Sequence, residues 1–242
     1  MDIGKSFSYP FEDDDWLSKL FLGAVVSIVP ILNFAWTGYT VDIVRNVIDG
    51  VSRPMPEWSD FGDKFVKGFI IWAAGFIYSL PAILLGCLPL GILFILPVSR
   101  EVSTGSTTAT DTFFSIFTGV GILFACIIFL YALALSFYFP AVFINFAKKG
   151  TFGSCFEIGE IIKVVSQNTG KYLTAWLVSI VGGIVVGVVV SILTSVLGFI
   201  VCIGWILSWV ASALSSVYLF TVLAHLFGQV EAPDNVSVVP TE

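Results

Sequence analysis

Residues 172–224, YLTAWLVSIVGGIVVGVVVSILTSVLGFIVCIGWILSWVASALSSVYLFTVLA, contain no charged residue and no histidine. A helix rises 1.5 Å per residue, so about 20 apolar residues cross the hydrocarbon core of a bilayer. These 53 residues suffice for two crossings joined by a short turn near Gly198–Ile203. Three further uncharged stretches lie upstream, at Leu20–Val41, Gly68–Ser99 and Thr112–Ala147. The pattern predicts an all-α, polytopic transmembrane helix bundle.

Composition agrees. The 242 residues are 57% hydrophobic and 12% charged, with mean hydropathy +0.98, whereas soluble domains carry roughly 25% charge. The net charge of −6 comes with no basic stripe that could hold phosphates, so nucleic acid is excluded as a partner. Cys87, Cys126, Cys155 and Cys202 form no CxxC pair, and no zinc or redox motif is present. The opening MDIGKSFSYPFEDDDW is acidic before the first apolar run, unlike the basic start of a signal peptide.

Five spans are expected: Leu17–Trp36, with helix running on to Asp49; Val66–Leu96; Thr112–Phe139; Tyr172–Leu197; and Ile203–Phe227. They form one transmembrane domain over 17–227, between an acidic segment 1–16 and a flexible tail 228–242. Pro81 and Pro89 make the second span a candidate hinge or cavity element, since proline removes a backbone donor. It reads either as one kinked helix or as a helix plus a re-entrant piece. Asn33, three residues after Pro30, is a further cavity candidate. Lysine and arginine set the orientation. Arg45, Arg53, Lys64 and Lys67 fall between spans one and two, and Lys148, Lys149, Lys163 and Lys171 between spans three and four. Five crossings place both groups on one side, opposite Lys5, Lys19 and Arg100. The N-terminus is then outside and the C-terminus in the cytosol of a cell-membrane protein.

The two basic connectors look alike. In 56–67, PEWSDFGDKFVK, the residues Trp58, Phe61 and Phe65 share a helical face; in 154–167, SCFEIGEIIKVVSQ, so do Phe156, Ile161, Ile162 and Val165. Spacing of three to four residues predicts two amphipathic helices lying along the cytosolic interface. Each half then reads as span, turn, interfacial helix, span, a parallel repeat of 17–97 and 112–197.

Small residues recur every fourth position in span four (Ser179, Gly183, Gly187, Ser191) and span five (Ser208, Ser212, Ser216). Such ridges let helix backbones approach closely. They are expected to face each other, with a dimer contact as the alternative.

Chemistry is sparse. Asp42 and Arg45 are spaced to pair with each other. His225 reads as an interfacial hydrogen-bonding residue, and Asp13, Asp14 and Asp15 as a solvated cap before Trp16 rather than a calcium site. No HExxH, GxSxG, P-loop or DxD arrangement occurs, so no catalytic residue, metal or cofactor is expected.

YPFEDDDW (Tyr9–Trp16), Pro30, Gly38-Tyr39, Arg45, PMPEW (Pro54–Trp58) and Gly68 resemble the DUF4013 family of uncharacterised bacterial and archaeal membrane proteins. Pro140, NFAKKGTFGSCFEIGEI (Asn145–Ile161) and Tyr172 extend the resemblance, which covers residues 6 to about 225. It implies a multi-span membrane bundle and supplies no activity. The expected function is a non-enzymatic scaffold or assembly subunit of a membrane complex. Its partners would be membrane lipids and other membrane proteins or further copies of itself. The alternative is a transporter or channel for a small or lipid-like solute, and an enzyme acting on lipid stands behind both.

Overall fold

Pro30 cuts the first apolar stretch in two. In the computed structural model, which describes residues 1–95, 107–198 and 203–233, all regular structure is helical. The order is α1 (Ile3–Ser8), a 3-10 turn (Tyr9–Glu12), α2 (Trp16–Ile28), α3 (Asn33–Ile48), α4 (Phe61–Ile95), α5 (Thr107–Lys149), a 3-10 turn (Phe152–Phe156), α6 (Ile158–Gln167), α7 (Thr169–Leu197) and α8 (Ile203–Glu231). Stretches of α4, α5, α7 and α8 are long and apolar enough to cross a membrane, and α2 is a shorter apolar helix. The polytopic all-α bundle of about five apolar helices is therefore what the chain forms.

The single helix expected over 17–49 is instead a hairpin. Val29, at the end of α2, is extended (φ −85°, ψ 117°), as the residue before a proline prefers. The chain turns over residues 29–32, and α3 packs back along α2. Both helices lie against α8. The ends confirm the reversal: Trp58, beyond α3, donates its indole N–H to the carbonyl of Lys19 near the start of α2 (3.2 Å).

The chain divides into two compact units. One holds Met1–Ala74 with Pro140–Glu242, the other Gly75–Phe139, and this division follows neither edge of the expected repeat. The smaller unit is a helical hairpin from α4 and α5. Tyr131 donates its hydroxyl to the carbonyl of Tyr78 (2.6 Å), and Tyr78 meets Tyr138 edge-on at 5.7 Å. Prolines 81 and 89 leave α4 a single helix, which corrects the re-entrant alternative. Pro97 lies outside the described residues.

In the larger unit the core gathers near one end. Ala35, Tyr39, Ile43 and Val44 of α3 are buried with Ala141, Val142 and Ile144 of α5 and Val217, Val222 and Leu226 of α8. Helix α3 crosses α4 with backbones in contact. A β-carbon on Gly38 would fall inside the carbonyl of Lys64, and one on Gly68 inside that of Phe34. Only glycine permits that approach. Helices α3 and α5 end alike. Gly50 (φ 74°) and Gly150 (φ 69°) adopt the left-handed conformation that terminates a helix. Asn46 donates its amide to the carbonyl of Pro54 (2.9 Å) and Asn145 to that of Ser154 (2.8 Å), clamping each following loop.

Between those loops the likeness stops. Residues 158–167 form the expected amphipathic helix, with Ile161 and Val164 buried and Val165 half-buried. Phe156 falls in the preceding 3-10 turn, edge-on to Phe152 at 5.2 Å. Residues 56–67 do not form such a helix. Residues 56–60 are irregular, and Phe61 and Phe65 open α4. Trp58 is stacked on Tyr39 at 4.6 Å and Phe65 meets Phe34 at 5.6 Å, so these rings close the α2–α3 hairpin instead of facing lipid. At the C-terminus α8 continues to Glu231, into the expected flexible tail; residues 234–242 lie outside the described residues.

Candidate functional site: a charged end and a polar cleft

The N-terminal segment is tied to the C-terminal end of α8. The backbone N–H of Asp2 donates to Gln229 Oε1 (2.6 Å), and Tyr9 donates its hydroxyl to the carbonyl of Thr221 (3.0 Å). Tyr9 also stacks on His225 at 4.2 Å. Ser6 Oγ and Gln229 Nε2 each lie 3.0 Å from Nδ1 of His225. His225 is therefore a hydrogen-bonding hub, as its position suggested. The same contacts set the first residues of the chain beside the C-terminal end of α8.

Ion pairs cover this end. Buried Lys19 bridges Asp13 (2.8 Å) and Glu57 (2.6 Å), and Arg53 meets Asp14 (2.6 Å). Asp42 does not pair with Arg45 as its spacing suggested. It takes Lys67 (2.6 Å) and buried Lys64 (3.6 Å) from α4, and Lys67 also reaches Asp63 (2.5 Å). Arg45 points instead at Gly150, where its Nη2 would sit 3.5 Å from a β-carbon. Lys148 pairs with Glu231 (2.8 Å) and Lys149 with Glu157. The hydrogen bond that Arg53 donates to Asp14 holds its guanidinium above its ordinary value, and the one that Glu160 accepts from Lys163 holds that exposed carboxyl below its ordinary value. Asp13, in the acidic run 13–15, is thus a buried ion-pair partner rather than part of a solvated cap. Among the described residues no group of three or more His, Cys, Asp and Glu is arranged to hold a metal. Glu12, Asp15, Asp49 and Asp60 are exposed and have no ion-pair partner among the described residues.

One polar group at the heart of this end is unsatisfied. Tyr39 is fully buried between Trp36 (5.2 Å) and Trp58, and its hydroxyl has no hydrogen-bond partner among the described residues. Such a group costs about 1–3 kcal/mol.

Away from the charges, where the α2–α3 turn meets α8, lies an open cleft of about 360 Å³. The hairpin contributes Ser27, Ile28, Asn33 and Trp36; α8 contributes Trp209, Ser212, Ser216 and Phe220. Asn33, named above as a cavity candidate, is one of the lining residues. The hydroxyls of Ser27 and Ser212 are occupied by the carbonyls of Ala24 and Ser208. The half-buried amide of Asn33 and the hydroxyl of Ser216 have no hydrogen-bond partner among the described residues. Pro81, a second cavity candidate, belongs to α4 and is not among the lining residues; the side chain of Pro89, the third, lies outside the described residues.

The cleft also explains where the small-residue ridges went. Ser212 and Ser216 turn toward the hairpin. On α7 it is Gly182 that meets α8: a β-carbon there would lie 3.5 Å from Leu219, while nothing lies within 4 Å of one at Gly183 or Gly187. Ser191 is exposed and Ser179 half-buried. Gly183 and Gly187 therefore lie apart from α8. An all-apolar helix carries no polar face to announce which side its neighbour takes.

Four described helices are long and apolar enough to cross a membrane, and they mark an integral membrane protein. The chain belongs to the DUF4013 family, described as a protein family of unknown function, whose profile matches residues 21–195. Tyr9–Trp16 lies outside that match. An uncharacterised protein of Methanocaldococcus jannaschii is 24% identical over 141 residues, which is 58% of this chain and 44% of the relative. The chain thus spans less than half of that relative's length. No solved structure matches.

Proposed function

We propose that the chain is a non-enzymatic scaffold or assembly subunit of the cytoplasmic membrane, with its charged end in the cytosol as the docking face. The observation that carries this reading is the distribution of charge. Of 11 Lys and Arg, the ten among the described residues belong to segments that gather where the N-terminal residues meet the end of α8. That bias is stronger than the five-crossing arrangement allowed, and the positive-inside rule makes this end cytosolic. Helices α4, α5, α7 and α8 cross, while α2 and α3 enter from the cytosol and return. The unpaired carboxylates Glu12, Asp15, Asp49 and Asp60 fit a basic segment of a partner.

Catalysis has little to work with. Ser6 and His225 form a hydroxyl–imidazole pair, but Ser6 is fully buried and its hydroxyl already bonds the carbonyl of Asp2 (3.2 Å).

Cross-linking in native membranes followed by purification in mild detergent tests the reading. A stoichiometric partner protein is expected, and replacing the four free carboxylates by lysine releases it. Recovery of an isolated monomer after cross-linking would count against scaffolding. Cysteines placed at positions 2 and 232 should both stay unlabelled by an impermeant maleimide in intact cells; labelling of either one overturns the topology.

A second reading, a carrier for a small or lipid-like solute, draws on the cleft. Broken helices at membrane depth commonly border binding sites, and the break here is at Pro30.

A further inference from the structure

We infer that the cleft at the α2–α3 turn binds an uncharged membrane lipid with a free hydroxyl, and that it does so by drawing the hydroxyl in beside Asn33. The inference is independent of whether the charged end docks a partner.

Depth selects the ligand. Ile28 lies twelve residues along α2 from Trp16, about 18 Å inside the charged end at 1.5 Å per residue. Asn33 lies nine residues from Asp42 on α3, and Ser216 nine from His225 on α8, each about 13 Å inside. In a hydrocarbon core about 30 Å thick, these groups sit near the midplane. A phospholipid anchors its charged headgroup at the interface and can offer only acyl chain at that depth. The Asn33 amide and Ser216 hydroxyl would then face hydrocarbon unsatisfied, which is costly. A lipid alcohol without a charged head can sink to that depth.

Chemistry agrees with depth. No charged residue lines the cleft, so an ionised ligand would find no counter-charge. The amide of Asn33 is both donor and acceptor, as is the Ser216 hydroxyl; a ligand hydroxyl can accept from one and donate to the other. Trp36, Trp209 and Phe220 supply apolar walls for the attached chain, and about 360 Å³ falls within the range of small-ligand sites. The open side lets a ligand enter laterally from the bilayer.

The test uses the full chain in nanodiscs with two photoreactive probes, a diacylglycerol and a phosphatidylcholine with identical acyl chains. Each carries a diazirine next to the glycerol. The diacylglycerol should label residues 27–36 and 209–220 at least fivefold more than the phosphatidylcholine does. Asn33→Leu and Ser216→Phe, the second on an exposed position of α8, should each cut that labelling to the phosphatidylcholine level while elution volume stays unchanged. Equal labelling by the two probes, or diacylglycerol labelling that survives either correctly folded variant, overturns the proposal.

Discussion

Replacing Gly38 by alanine tests the tightest joint in the molecule. The new β-carbon would overlap the carbonyl of Lys64 and stand 2.8 Å from its Cα. These are backbone atoms, so no side chain can swing away and the helices must part by roughly 1.5 Å to restore van der Waals contact. Overfilling a packed contact costs about 1–3 kcal/mol. Parting α3 from α4 also stretches the Asp42–Lys67 pair from 2.6 Å and loosens the seat of buried Lys64. Against this, alanine in a helix is about 1 kcal/mol better than glycine. The net expectation is a loss of about 1–2 kcal/mol, read as SDS-titrated unfolding in micelles or as a fall in melting temperature by size-exclusion chromatography. Gly68→Ala should behave alike. The double variant should cost less than the sum, because helices already parted by one methyl admit the second. Gly183→Ala and Gly187→Ala are the controls. With nothing within 4 Å, they should be neutral or up to about 1 kcal/mol more stable, although their GxxxG spacing marks them as contact residues. Gly38→Ala as stable as Gly183→Ala would refute the close crossing.

Three further outcomes are expected. Asp42→Asn leaves Lys64, with 5% of its side chain exposed, without its carboxylate, and should destabilise the protein by about 2–4 kcal/mol; adding Lys64→Met should recover much of that in the same SDS titration. Tyr39→Phe keeps the stack between Trp36 and Trp58 but removes the unsatisfied hydroxyl, so stability should rise by about 1 kcal/mol; a loss would mean that the hydroxyl is engaged. Cys155 is buried, and burial pushes its thiol up to about 11. At pH 8 about one molecule in a thousand is then thiolate. In a chain with Cys87, Cys126 and Cys202 replaced by serine, alkylation should follow unfolding, and fast alkylation of the folded protein would contradict the packing of that loop.

Much of the fold can be read without coordinates, because hydropathy acts locally. Stretches of 30 or more uncharged residues can only be satisfied in lipid, so membrane location, helical class and the approximate course of α4, α5, α7 and α8 follow from composition along the chain. The amphipathic helix at 158–167 is legible for the same kind of reason, since one face is polar and the other is not. The candidate site was half legible. Asn33 stood out as an amide in an apolar run, and His225 as a hydrogen-bonding residue. Trp36, Trp209 and Phe220 could not be singled out as cleft residues among so many aromatics.

What lay beyond the sequence concerns partners and direction. Pro30 stops a helix, but whether the chain then bends onward or turns back depends on what α8 and Trp58 offer it. That choice puts the N-terminal residues beside Gln229. Asp42 had Arg45 in reach on its own helix and took Lys64 and Lys67 from the next one, because the Gly38–Gly68 crossing brings those lysines closer. The serines of α8 face the hairpin, and the ridge of α7 faces outward, because lipid and protein interior are equally apolar. Burial then gives no periodic signal along the chain, and only the fit of neighbouring surfaces decides which side of a helix is covered.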